Sequence, residues 1–396
     1  MALELSVLGT PSDASGPLPT ALRGFELPVS LQSFAWAVAW EELAKIGLYR
    51  YGPDVSQVGT TWLDGLANTG ALRPFSEREI DEMGGASAFV PALWDTVSVP
   101  EAKGIWAIPW LADVRVIFYW RDMLEEAGVD EKTAYKTPEH VEKTMQRLQA
   151  SQLKTPWSLW TLGPLVTLHN ATSWMWQSGG NFVSRNGKQA TFHEPKALAG
   201  LIAFLALHRY RPPGFQRRSD IDAYSMFLNR QVVSVMAPCG WINLFENHWR
   251  DDPDTLARLG VARPPGPAFV GGSLLVVWEH THRPQDAVAL VRFLTSKQAQ
   301  LEFGHYVSLW PSRLETLAEP PYATDPRYQI MGEALKTGRS YPTVSKWGIV
   351  EDKLSNAITW LWDSMLEDPN QDLEALTKSY LGSLAQRLTV TLGGRT

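Results

Sequence analysis

The chain has 396 residues, 44% of them hydrophobic and 20% charged, and a formal charge of −6. It is too long for one ordinary core, too apolar for disorder, and too acidic for a protein whose main partner is nucleic acid. No window approaches the roughly 18 apolar residues that would span a membrane, and the lone Cys239 excludes an intramolecular disulfide or a cysteine-based metal cluster.

Eighteen tryptophans outnumber the 11 tyrosines and 14 phenylalanines. A Trp-rich core accounts for about two thirds of them, since tryptophan is mostly buried. The remainder asks for a surface of flat aromatic faces, whose usual partners are sugar rings, nucleobases and quaternary amines. The N-terminus MALELSVLGTPSDASG carries no basic region, no long apolar run and no lipidated cysteine. Read literally it is a cytoplasmic start. A strand-like LELSVLG is equally what remains after an export signal is trimmed.

In chain order, residues 3–9 predict a strand, 25–31 (FELPVSL) a second, and WAVAWEELAKI a helix with Trp36 and Trp40 four apart, more consistent with core. GPDVSQVG gives a short buried strand. TTWLDGLANTGAL reads as a helix with a threonine N-cap and a stop at Gly70. This β-α-β-α order favours a mostly parallel sheet under helices. AKGIWAIPW then reads as a buried strand broken at Pro109, and VRVIFYW as another, with Trp110, Asp113 and Arg115 at the break: a crossing between domains. TPEHVEKTMQRLQAS is a helix capped by Thr137. Trp157 and Trp160 follow, and WMW at 174–176 is open to a strand or a helix. Asn186-Gly187 marks a hairpin, and Pro212-Pro213-Gly214 a loop. Second and third crossings are expected at Pro264 to Gly272 and at Trp310-Pro311. Amphipathic helices at 351–367 and 371–388 close the chain.

GPDVSQVGTTWLDGLANTGALRPF, IPWLADVRVIFYWRDMLEEAGV, VVSVMAPCGWI, GPAFVGGSLLVVWEHTHRPQDAVALVRFLTSKQAQLEFG and SLWPSR, in that order, resemble the solute-binding proteins of bacterial ABC sugar importers, the maltose-binding-protein-like group. The resemblance covers nearly the whole chain; Asn229-Arg230-Gln231 departs from the group's usual Gly-Lys. It implies an α/β, two-lobed periplasmic-binding-protein fold with three interlobe hinge crossings. Lobe I would be residues 1–111 plus 267–308, and lobe II 112–266 plus 309–396. Ligand would be captured by hinge closure and handed to membrane permease subunits. It also implies a periplasmic or extracellular protein, with or without a lipid anchor, whose export signal is trimmed from this sequence.

The resemblance aligns Trp62 and Trp241 with ligand-stacking positions and favours Trp174 over Trp176. Trp110 and Trp310 stand beside prolines at proposed crossings. Asp113 and Arg115 alternate along a strand and so share a face suited to vicinal hydroxyls. Asp64, Arg313 and Trp36 are further candidates, and Gly271-Gly272 would let backbone N–H groups approach a ligand. Each has a plain alternative in core packing, a salt bridge or a turn. His280 and His282 lack a third ligand at zinc-like spacing, so a turn is the better reading; no metal or cofactor is expected.

The leading reading is non-catalytic capture of a sugar, a disaccharide or longer, by a monomer that binds no nucleic acid. The same fold holding a glycerophosphodiester, polyamine or peptide is the alternative. A glycoside hydrolase is a lesser one, requiring two facing carboxylates such as Asp64 and Asp113.

Overall fold

The computed structural model describes residues 2–9, 17–99, 103–151, 155–158, 163–211, 219–303 and 309–393. Trp160 and the Pro212-Pro213-Gly214 loop lie outside them. The strands are β1 (Leu3–Leu8), β2 (Val29–Phe34), β3 (Val55–Gly59), β4 (Leu72–Arg73), β5 (Ile108–Trp120), β6 (Thr155–Ser158), β7 (Val232–Pro238), β8 (Leu259–Ala262), β9 (Val270–Trp278) and β10 (Trp310–Pro311). They divide between two compact units. The first holds Met1–Val114 and Val270–Gly348, and the second Arg115–Phe269 and Ile349–Thr396.

In the first unit the sheet runs β2-β1-β3-β9-β5. β1 pairs in parallel with both β2 and β3, and β9 is antiparallel to β3 and β5. Period-two alternation sends Leu3, Leu5, Val55, Leu275 and Val277 into one core, and Leu8, Val58, Leu274, Val276 and Trp278 into the other. Both faces are therefore covered, which is why these strands read as nearly continuous apolar runs. The buried polar residues among them pair off. Ser6 and Ser56 hydroxyls lie 2.6 Å apart, and Trp278 Nε1 donates to Ser56 at 2.7 Å. Gln57 accepts from the Leu8 N–H and donates to Ser273, both at 2.8 Å.

In the second unit the sheet order is β8-β5-β7-β6, with β6 parallel to β7 and the other pairs antiparallel. Trp120 stacks on Phe227 at 5.0 Å and meets Trp249 edge-on at 5.2 Å, while its Nε1 donates to the Phe227 carbonyl. WMW lies within the helix Pro164–Gln177, which resolves the strand-or-helix ambiguity. The Asn186-Gly187 hairpin is present, bridged by Val183 and Ala190.

Four expectations need correction. Pro109 does not separate two strands: it is the second residue of the 13-residue β5, residues 103–107 before it form no strand beyond isolated bridges at Ile105, and the ladder to β9 shifts register between Pro109 and Leu111. Trp310-Pro311 is no crossing. It pairs with Ala112 and Leu111 inside the first unit, and the third passage between units comes after Gly348, within the helix Trp347–Glu367. The second strand lies at 29–34 and not 25–31. The helix after Trp62 is only Leu63–Ala67, and no side chain caps it.

Candidate functional site

Strand β3 ends at Gly59, and the chain turns through Thr60, Thr61 and Trp62 into the helix Leu63–Ala67. The turn is fixed by its backbone, with Trp62 N–H donating to Gly59 at 3.0 Å and Thr60 N–H to Gly272 on β9 at 3.3 Å. One face of Trp62 lies over Gly59, whose absent Cβ would stand 3.2 Å from the ring. Trp62 stays half-buried, with Trp36 at 5.7 Å and Trp40 at 6.1 Å, both inclined at 57°.

Next to this turn is a recess in the first unit, lined by Thr60, Thr61, Leu63, Asp64, Thr96, Ser98, Ser340, Tyr341, Pro342, Thr343, Val344 and Trp347. Its hydroxyls are positioned from below. Thr96 donates to the Leu93 carbonyl at 2.7 Å, and Ser340 Oγ lies 2.6 and 2.8 Å from the carbonyls of Ala92 and Val270. Asp64 accepts from the Asn68 amide at 2.9 Å. Tyr341 and Trp347, with ring centres 4.8 Å apart, form an aromatic wall. Among the described residues the lining holds seven hydroxyls, one carboxylate and no basic side chain. Such a surface donates and accepts hydrogen bonds without selecting for charge.

Of the sequence candidates, Trp36, Trp62 and Asp64 belong to this turn and its neighbouring helix. Gly272 joins them through its carbonyl, though its lack of a Cβ serves the sheet: a Cβ would stand 2.2 Å from the Leu111 oxygen, at φ +132. Gly271 and Asp113 are buried and face each other across β9 and β5.

Three first-unit candidates are structural. Trp110 is packed in the core with Ile108, Leu111 and Leu275. Trp310 is fully buried, stacked on Tyr328 at 5.1 Å and edge-on to Tyr322 at 5.0 Å. Arg313 donates to the carbonyls of Thr295 (2.7 Å) and Met83 (2.8 Å) and covers the Phe89 ring, so its guanidinium ties together three distant segments. Burial lowers its pKa.

The remaining candidates lie in the second unit. Trp241 is buried, edge-on to Tyr224 at 5.2 Å. Trp174 is buried between Trp157 and Phe204. Arg115 is buried opposite Pro238, in a different unit from Asp113, so the two do not form a pair on one unit's wall. Near Arg115, His169 stacks on Phe269 at 4.1 Å, with its Nε2 3.9 Å from Glu351. Burial, reinforced by the charge of Arg115, pushes His169 well below the ordinary histidine range, so the ring is neutral at neutral pH.

Sequence reasoning passed over Tyr341, Trp347 and the Thr96–Ser98 edge, and assigned Trp40 to the core. A signal for Trp40 was present. Ala39, Leu43 and Ile46 already fill the inward face of the helix Trp36–Tyr49, leaving Trp36 and Trp40 to face out at 47% and 41% exposure. Nothing local joins residues 60–64 to 340–347; only the fold does.

A family model described as bacterial extracellular solute-binding protein matches residues 29–330. A probable ABC transporter-binding protein of Deinococcus radiodurans is 25% identical over 208 residues, covering 49% of this chain and 48% of its own. The sugar-binding protein MalE of Xanthomonas citri superposes with a TM-score of 0.82 at 20% identity, over 99% and 98% of the two chains. A Thermotoga lettingae ABC-transporter solute-binding protein solved with alpha-D-tagatose gives 0.80 at 20% identity, over 99% of each. At these identities the superpositions establish a common fold.

Proposed function

The chain belongs to the bacterial extracellular solute-binding protein family, and from that premise we propose that it captures a carbohydrate at the Trp62–Asp64 recess without turnover. The carrying observation is a lining of seven hydroxyls and a single carboxylate next to the turn that carries the half-buried Trp62. The apolar face of a pyranose packs on an indole while its hydroxyls exchange hydrogen bonds with the rim. A phosphate-bearing solute would call for basic side chains, and the described lining has none. A polyamine would call for more than one carboxylate, and Asp64 already receives the Asn68 amide. A glycosidase would need two carboxylates facing across the scissile bond; the recess supplies one.

Two relatives support the carbohydrate reading: the Xanthomonas protein is described as sugar-binding, and the Thermotoga protein holds tagatose. The Deinococcus relative's description supports delivery to an ABC-transporter permease. No described helix is long and apolar enough to cross a membrane. The proposal places the protein outside the cytoplasmic membrane, acting as a monomer.

Mass spectrometry of small molecules released by denaturing freshly purified protein tests the reading, together with thermal-shift screening of the stripped protein. A hexose or oligosaccharide released in near-stoichiometric amount, or a sugar that raises Tm, is the expected result. Release of a phosphodiester, peptide or amine, with no shift by any sugar, contradicts it. Hydrolysis of chromogenic glycosides would contradict capture without turnover.

A further inference from the structure

The helix Trp36–Tyr49 presents two indoles to solvent one turn apart, and both lean on Trp62. Large exposed apolar surface in a contiguous patch marks a contact site. Trp40 is accommodated by Gly65: a Cβ there would stand 2.7 Å from Cη2 of the ring. The helix Leu63–Ala67 therefore leaves space for one edge of Trp40, and the rest of the ring stays open. The result is a comb of three indoles whose centres lie 5.7 and 6.1 Å apart along the chain Trp36–Trp62–Trp40, steps on the scale of one sugar ring.

The rim of this comb is polar. Thr61 and the Asp64–Asn68 pair lie on the segment that carries Trp62, and exposed Glu41 follows Trp40. Flat apolar faces edged by carboxylate, amide and hydroxyl groups suit a saccharide better than a protein surface, whose interface cores are depleted of charge. The comb adjoins the recess in the chain: Trp62 stands between Thr61 and Leu63, which line the recess together with Thr60 and Asp64.

We propose that Trp36 and Trp40 extend the recess into a subsite for the outlying rings of an oligosaccharide, with Trp40 setting the preference for chain length. The inference rests on the carbohydrate reading of the recess and goes beyond it: it assigns to sugar two aromatic faces, Trp36 and Trp40, that are not part of the recess lining, and with them a preference for chain length.

The test is calorimetric titration of stripped protein with ladders of one to four rings, using malto-, cello- and xylo-oligosaccharides. In the ladder that binds, affinity should rise with each added ring up to the tetrasaccharide. Trp40→Ala should reduce the ratio of tetrasaccharide to disaccharide affinity by about tenfold, the scale of one aromatic platform lost. Gly65→Ala, which displaces the ring without removing it, should act in the same direction. Tyr51→Ala, which removes an 84% exposed ring outside the comb, should leave that ratio unchanged. Affinity independent of length, or an unaltered ratio in both comb variants, overturns the inference while the recess stands as a sugar site. No heat from any ladder overturns both.

Discussion

Trp62 in the first unit and Trp174 in the second are the same residue type put to opposite uses. Trp174 is buried edge-on between Trp157 and Phe204, and Phe204 passes the contact on to Trp362. Trp62 rests one face on Gly59 and leans on two indoles that are themselves exposed. A buried tryptophan removes about 150–250 Å² from water, roughly 4–6 kcal/mol of apolar transfer at its upper bound. A half-buried one contributes far less to the fold and keeps a surface for a ligand. Burial, and not residue type, separates framework from site.

That contrast can be broken at several points. Trp174→Ala should cost roughly 3–5 kcal/mol through the cavity it leaves, read as a lower denaturant midpoint; a loss under about 1 kcal/mol would make it another surface residue. Gly272→Ala should cost about 1–3 kcal/mol, because a Cβ at φ +132 would meet the Leu111 oxygen. Near-neutral behaviour would show that β5 and β9 can part there without penalty.

The second unit's buried histidine gives a pH signature. Unfolded His169 takes up a proton near pH 6.5, whereas burial and Arg115 hold the folded ring neutral far below that. Below 6.5 the unfolded chain therefore binds more protons, and stability falls as pH falls, by up to about 1.4 kcal/mol per pH unit. Thermal melts from pH 7 to 5 should show this decline, and His169→Gln should flatten it by one proton's worth. Parallel curves for the two proteins would mean that His169 accepts its proton in the fold. Trp62→Ala should have the smallest effect on stability, about 1 kcal/mol, with its main consequence in binding.

Much of the fold was legible because it rests on local periodicity. The alternation of Leu3, Leu5 and Val7, the buried run Val55–Gly59 and the two closing helices all follow from it. What was not legible depends on distant segments. The third passage between units lies inside a continuous helix after Gly348, where amphipathic periodicity runs on and nothing marks a boundary. Pro311 suggested a crossing, yet the residues around it are held by Ser312 on the Pro109 carbonyl and Gln300 on the Trp110 carbonyl. Arg313 looked like a ligand residue because two of its three acceptors, the Thr295 and Met83 carbonyls, lie 18 and 230 residues away, and only Glu315 is near in sequence. At the site, Trp62 and Asp64 could be picked from their turn, but the wall formed by Tyr341 and Trp347 could not.

The central claim, that the Trp62 turn and its hydroxyl-lined recess hold a carbohydrate, is tested most directly by one calorimetric comparison. Stripped wild-type protein and Trp62→Ala are titrated side by side with a panel of mono- and oligosaccharides. The account predicts saturable heat with at least one sugar in the wild type, weakened tenfold or more in the variant, on the order of 1.4 kcal/mol or greater, with both proteins folded. No heat from any sugar in the wild type, or equal affinity in the two proteins, would contradict it.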